Sequence, residues 1–357
     1  MHAPILSVMI NRPDGRDHYP DRLARVRDLV SRDDPGLASE LVSLATANDD
    51  VWRFDGAQVR MAVETLPPTR RHDLILEVAA AAAATPIESL LHWLGRHFSA
   101  AELSRPAGSV LINAATRRTT GVPAELAVLA EVALRDTGRV PPELLAVMRR
   151  SARWMPPLAA DIRPFLTDPA DLLNVGEPWA ETANTAAASD ERIRALIAHA
   201  LRSRGAAPAT RWSTKAVELT SAFGRAESRA LLHHWFALVP QDRTFPLRGD
   251  FLYDVNDVPD THNAEALRGL LHLIAATRPE PGDAEAVGRL AQYASGRIPG
   301  HGPRSPIVTN AAILALESIG TRTALTELRR LRTAAPMPGT ARRLDQAIAR
   351  RAAALRS

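Results

Sequence analysis

Residues 306–331 read PIVTNAAILALESIGTRTALTELRRL, and the fold class follows from this stretch. Ser305-Pro306 starts a helix, because Pro suits the first helical position. Ala311, Ala312, Ala315, Leu316 and Ile319 recur at helical spacing along one face, and Gly320 ends the segment. Ala324, Leu325, Leu328 and Leu331 line a second helix directly after it. Two short helices with small residues on their facing sides can approach closely, and each leaves an apolar face for a neighbour.

This pattern resembles a HEAT-type repeat, in which paired helices stack on the next pair to form one continuous core. The expected fold is therefore all-α, an α-solenoid of HEAT-like antiparallel helix pairs. A narrower resemblance lies around it. His262-Asn263-Ala264-Glu265-Ala266-Leu267-Arg268-Gly269-Leu270, Ile298-Pro299-Gly300-His301-Gly302-Pro303-Arg304-Ser305 and Asn310-Ala311 together resemble the helical region of the DUF4132 (molybdate-metabolism-regulator-like) bacterial proteins. The likeness covers residues 255–345, and members of that family are usually much longer. It implies a helical repeat region and supplies no catalytic residue.

The rest of the chain agrees with an all-helical reading. Apolar residues make up 46 % of the 357 residues and aromatics only 4 %. Ala and Leu at that ratio suit helix packing better than sheets. Helix signals recur between short Pro- or Gly-bearing turns: Thr85-Pro86-Ile87-Glu88, the Ser99-to-Glu102 capping box, Pro141-Pro142-Glu143 and Asp168-Pro169. Leu90, Leu91, Leu94 and Phe98 share one helical face; Ile193, Leu196, Ile197 and Leu201 share another. The Ala run 79–84 is read as strong helix. Four regions are expected: a helical N-terminal part (1–155), a less regular helical middle (156–240), a connecting loop (241–261) and HEAT-like C-terminal repeats (262–357).

Without cysteine, disulfides, thiolate metal sites and cysteine nucleophiles are excluded. No stretch is long and apolar enough for a transmembrane helix, so no membrane insertion is expected. The opening Met-His-Ala-Pro-Ile-Leu-Ser-Val-Met-Ile lacks the cationic region of a secretory signal, so a cytoplasmic location is expected. Net charge is only +4. Residues 320–357, however, hold nine Arg against Glu327 and Asp345, an excess of +7, which leaves −3 for everything before them.

That terminus holds most of the candidate binding residues. In the last helix Leu344, Ile348 and Leu355 fall on one side and Arg342, Arg343, Arg350 and Arg351 on the other. The Arg side suits an acidic protein or peptide, with nucleic acid and an anionic membrane surface as further partner classes and a solubilising cap of the repeat array as the plain alternative. Arg304, in the Gly-rich loop 300–305, is a further anion-binding candidate beside a helix start. Asn263, Arg268 and Asn310 are expected to be structural, as buried partners locking adjacent repeats. Asp250, Asp254, Asn256, Asp257 and Asp260, with His262, lack the spacing of a calcium loop and read as a solvated acidic loop pairing with local Arg. His233-His234-Trp235-Phe236 and His92-Trp93 read as core, because adjacent His side chains point to different helix faces.

No catalytic, metal-binding or phosphate-loop motif occurs, so no catalytic residue, metal or cofactor is assigned. The expected function is a non-catalytic helical scaffold for a protein or peptide partner. The alternative is a HEAT-like DNA-binding enzyme of the alkylpurine DNA glycosylase type, with Trp154, Trp179, Trp212 and Trp235 and an Asp or Glu as candidates for the groups near the lesion.

Overall fold

The computed structural model describes residues 19–47, 56–82, 87–167, 170–249, 253–334 and 337–356. Among these, seventeen α-helices and one minimal hairpin make up the regular structure, apart from short 3-10 turns and an isolated bridge. The chain is all-α. The opening residues, Ala83–Pro86, Asp168-Pro169 and Asp250 lie outside the described residues.

The chain divides into two compact units, Met1–Ala114 and Ala115–Ser357. The first contains α1 (Tyr19–Ser31), α2 (Leu37–Ala47), α3 (Gly56–Glu64), α4 (Pro68–Ala82), α5 (Glu88–Leu94) and most of α6 (Arg105–Thr116). In it α1 packs on α3 and α2 on α4, burying Val26, Leu37, Leu41, Val59, Leu74 and Val78. Leu90, Leu91, Leu94 and Phe98 are all buried, as their spacing predicts. The Ser99 box does form, with the Ser99 amide donating to Glu102 Oε2 at 2.7 Å. It closes one turn only, and the α-helix starts later, at Arg105.

The second unit contains α7 (Pro123–Thr137), α8 (Pro142–Trp154), α9 (Pro178–Ser189), α10 (Glu191–Leu201), α11 (Thr210–Phe223) and α12 (Arg225–Leu238), then α13 (Thr261–Ala276), α14 (Asp283–Ser295), α15 (Pro306–Ile319), α16 (Arg322–Ala334) and α17 (Pro338–Ala354). One apolar cluster runs from Leu173 to Ala347 through α9 to α17. α13 and α14 both pack on α15, α14 also on α16, and α15 and α16 on α17.

Local chemistry accounts for the helix pair that frames the fold. The Ser305 hydroxyl accepts from the Val308 amide, and Pro306 stands at the first helical position. Gly320, at φ +70°, ends α15 in the left-handed region that a side chain disfavours. Ala311, Ala312, Ala315, Leu316 and Ile319 are buried on α15; Ala324, Leu325, Leu328 and Leu331 are buried on α16.

The loop before α15 differs from a plain helix–helix turn. Arg297–Ile298 pairs antiparallel with Gly302–Pro303, with Gly300 and Gly302 at positive φ. Two residues on each side are too few for an alternating pattern, so period-two reading had nothing to detect. The 241–261 connection is tied down in the same manner. The Leu247 amide donates to Asn256 Oδ1, the Asn256 amide returns to the Leu247 carbonyl, and Arg248 donates to the Arg117 carbonyl.

The core of this unit holds a buried histidine, and its titration has a measurable consequence. His272 is fully buried, with Nδ1 2.8 Å from Ser203 Oγ. Burial, then the nearby Arg268 charge, lowers its pKa to about 4. The folded chain thus keeps the ring neutral while the unfolded ring takes up a proton below about pH 6.5. Stability is expected to hold above pH 6.5 and to fall as pH drops from there toward 4, by at most about 1.4 kcal/mol per pH unit from this group. Urea unfolding at several pH values should give a shallower decline for His272→Gln than for wild type. Equal slopes would show that His272 does not carry the dependence.

Candidate functional site

Two helix faces build a groove at the C-terminal end of the second unit. Pro306, Asn310, Ile313, Leu314 and Glu317 form a stripe along α15 at helical spacing. Opposite, Arg342, Arg343, Gln346 and Arg350 form the matching stripe of α17. The core faces of both helices are already used, α15 through Ala311, Ala315 and Leu316 and α17 through Leu344 and Ala347, so these stripes line the groove, with Ile313 buried at its base. The groove encloses about 790 Å³, with Met337, Ala206 and Ala207 in its walls.

Its charge is uneven. Arg350 forks onto Glu317, Nε–Oε1 at 2.5 Å and Nη2–Oε2 at 3.0 Å. Arg342 and Arg343 have no acidic partner among the described residues. Three guanidiniums and one carboxylate around an apolar floor give a net +2, suited to an acidic ligand with an apolar side chain.

The candidate residues read from the sequence divide accordingly. Arg342, Arg343 and Arg350 come together in the groove. Arg351 does not: a Cβ at Gly320 would lie 2.8 Å from its Cζ, so its guanidinium rests on the C-terminus of α15. A cation there meets the negative end of the helix dipole. Arg304 is engaged within the loop, donating to the Asp257 carbonyl at 2.9 Å and lying 5.0 Å from the Tyr293 ring centroid. Leu355, placed with the apolar side of α17, is exposed at the helix end.

Of the three expected structural residues, Asn263 is fully buried and fully used. Its amide donates to the Asn174 carbonyl (2.9 Å) and to Glu177 Oε2 (2.8 Å), and its oxygen accepts from the Asn174 amide (2.8 Å). Arg268 is half-buried and donates to the Ser203 carbonyl. Asn310 departs from expectation. It is half-buried and lines the groove, because the stripe it belongs to faces away from the core.

Asn263 leads to a buried polar network that sequence reading missed. Asp260 was expected in a solvated loop, yet its side chain is fully buried. Its Oδ1 accepts from Asn174 Nδ2 (2.9 Å) and from the amides of His262 and Asn263, capping α13. Its Oδ2 accepts from Arg150 Nη1 at 2.8 Å. Arg150 also donates to the Thr119 and Arg118 carbonyls. Glu177 accepts from the Asp260 amide, Asn263, Trp179 Nε1 and Arg243. Burial raises the Glu177 carboxyl, against the pull of Arg243. Burial also acts to raise Asp260, but Arg150 and Arg243 outweigh it and hold that carboxyl below its usual range. With every oxygen of the two carboxylates occupied, this cluster is a clamp holding α8, the segment before α9 and the start of α13 together. A signal was present: Asp260 precedes His262 and Asn263 at the N-cap position of a helix.

Asp254 caps the 3-10 turn at Val255, and Asp257 faces Arg304 at 3.6 Å. No group of three or more His, Asp or Glu side chains able to hold a metal ion occurs among the described residues. His233 Nε2 donates to the Asp283 carboxylate at 2.8 Å, while His234 is exposed and Trp235 and Phe236 are core. Trp179 and Trp235 are fully buried, Trp212 stacks on His199 at 4.5 Å, and Trp154 stands exposed at the end of α8. None of these four rings lines the groove between α15 and α17.

Comparison with family models, with curated proteins and with solved structures found no match for this chain. Among the described residues no helix is long and apolar enough to cross a membrane.

Proposed function

We propose that this chain is a non-catalytic scaffold of HEAT-like antiparallel helix pairs, whose C-terminal groove holds an acidic segment of a protein or peptide partner. The groove between α15 and α17 carries the reading: two guanidiniums without acidic partners stand over an apolar floor. Such a floor gains from burying an aliphatic side chain, while the guanidiniums fix carboxylates at its rim. The repeat architecture draws support from α14 and α15, each of which packs on both the next and the next-but-one helix, and from α13, which packs on α15. It draws support too from the small residues on the buried faces of α13 to α16. The resemblance to the helical region of DUF4132 proteins fits the same reading. A peptide is preferred over nucleic acid because Glu317 sits in the groove and the apolar floor has no use for a phosphate backbone.

Panning a random phage-displayed peptide library on the full chain tests this. Enriched sequences are expected to pair acidic residues with an aliphatic one. The R342Q/R343Q variant is expected to lose about tenfold or more in affinity for them, two charge-assisted contacts being removed. Enrichment of sequences without acidic residues, or equal binding by the variant, would overturn the reading.

A further inference from the structure

We infer that Glu317 is a competitor carboxylate built into the groove, restricting it to ligands whose acidic groups are confined to one end. This rests on the acidic-peptide reading above and gives it a specificity. The sequence of α17 divides the groove lengthwise. Arg342 and Arg343 lie two turns before Arg350, a rise of about 11 Å. At the Arg342–Arg343 end the guanidiniums have no acidic partner. At the other end Arg350 is already gripped in fork geometry by Glu317, with both carboxylate oxygens engaged. Glu317 is anchored on α15, one turn before Gly320, and the fork with Arg350 holds its carboxylate in the groove. The two ends thus differ in charge although both contain arginine.

An extended peptide covers about 11 Å in roughly three residues. A ligand with two adjacent acidic residues satisfies Arg342 and Arg343. A third acidic residue three positions on arrives beside Glu317, where it finds Arg350 neutralised and a like charge in its place. The same arrangement disfavours nucleic acid, whose phosphates repeat along the whole groove. Glu317 therefore acts by subtraction: it removes one cationic subsite from a groove that its arginines alone would make a polyanion binder.

The experiment uses two fluorescein-labelled peptides, Ala-Glu-Glu-Leu-Ala-Ala-Leu-Ala and Ala-Glu-Glu-Leu-Ala-Glu-Leu-Ala, with duplex DNA as a third probe, titrated against the full chain by anisotropy. Wild type is expected to bind the second peptide no more tightly than the first. E317Q keeps the side-chain shape and is expected to bind the second about threefold to tenfold more tightly than wild type does. R350Q, which leaves Glu317 unneutralised, should weaken the second peptide by a similar factor. The E317Q/R350Q double variant should return close to wild type if charge is responsible. If instead the pair acts only by holding α15 and α17 together, the double variant would be the weakest of all, and the inference falls. If R342Q/R343Q abolishes binding while E317Q changes neither peptide, the inference also falls and the binding reading stands. Binding of neither peptide, or of DNA more tightly than both, overturns the reading beneath it.

Discussion

Asp260→Ala is expected to destabilise the second unit by about 3–5 kcal/mol, the range for a buried ion pair deprived of one partner. The Asp260 side chain is completely buried and meets three kinds of donor: the Arg150 guanidinium, the Asn174 amide and two backbone amides at the start of α13. Removing it leaves Arg150 buried with only the Thr119 and Arg118 carbonyls, and it uncaps a sixteen-residue helix. For a unit of this size the melting temperature should fall by roughly 10 °C or more. Asp260→Asn keeps an acceptor for the cap but loses the charge facing Arg150, so its loss should be smaller. Differential scanning calorimetry of the full chain decides the matter. An Ala variant melting within roughly 2 °C of wild type would show that the carboxylate is dispensable and that the cluster is not the clamp described above.

That cluster also marks where the sequence ceased to be legible. The 305–320 helix could be read residue by residue, since its cap, its Pro, its apolar period and its terminal Gly all act within one or two turns. Asp260 could not, because its partners Asn174 and Arg150 lie 86 and 110 positions away. A run of acidic residues in a Pro- and Gly-bearing stretch reads as solvated unless the folded neighbours are known. The arginine face of α17 was half legible for a different reason. At about 100° per residue, Arg343 and Arg350 come nearly into register, whereas Arg342 and Arg351, nine positions apart, stand half a turn out of phase. Helical geometry alone therefore separates Arg351 from the groove. Its place against Gly320 needed the packing of α15. Asn310 was misjudged because a polar side chain amid Ala and Ile suggests a buried bond. The stripe it shares with Glu317 faces α17 across the groove.

Gly269→Ala is expected to cost about 3 kcal/mol, at the upper end for overpacking a core, even though Ala is the better helix former by about 1 kcal/mol. The two effects have opposite signs, and the contact geometry decides between them. A Cβ at Gly269 would lie 2.5 Å from both the carbonyl carbon and the Cα of Ala200, and closer still to its oxygen. These are backbone atoms of α10, so no side-chain rotation relieves the overlap; α13 and α10 must separate or tilt. Gly288 provides the internal comparison. The atoms nearest a Cβ there belong to the flexible end of the Glu327 side chain, 2.8 Å away at Cδ, which can shift together with its partner Arg330. Gly288→Ala should therefore be near neutral, while Gly269→Ala lowers the melting temperature by roughly 6–12 °C. The displaced helix has a second effect. α10 leads directly to Ala206 and Ala207, which wall the groove, so a shift at Ala200 should also weaken ligands that fill its apolar floor. If Gly269→Ala melts at or above wild type, α10 and α13 do not meet backbone to backbone at this point, and the close packing of small residues that supports a HEAT-like reading loses its clearest instance.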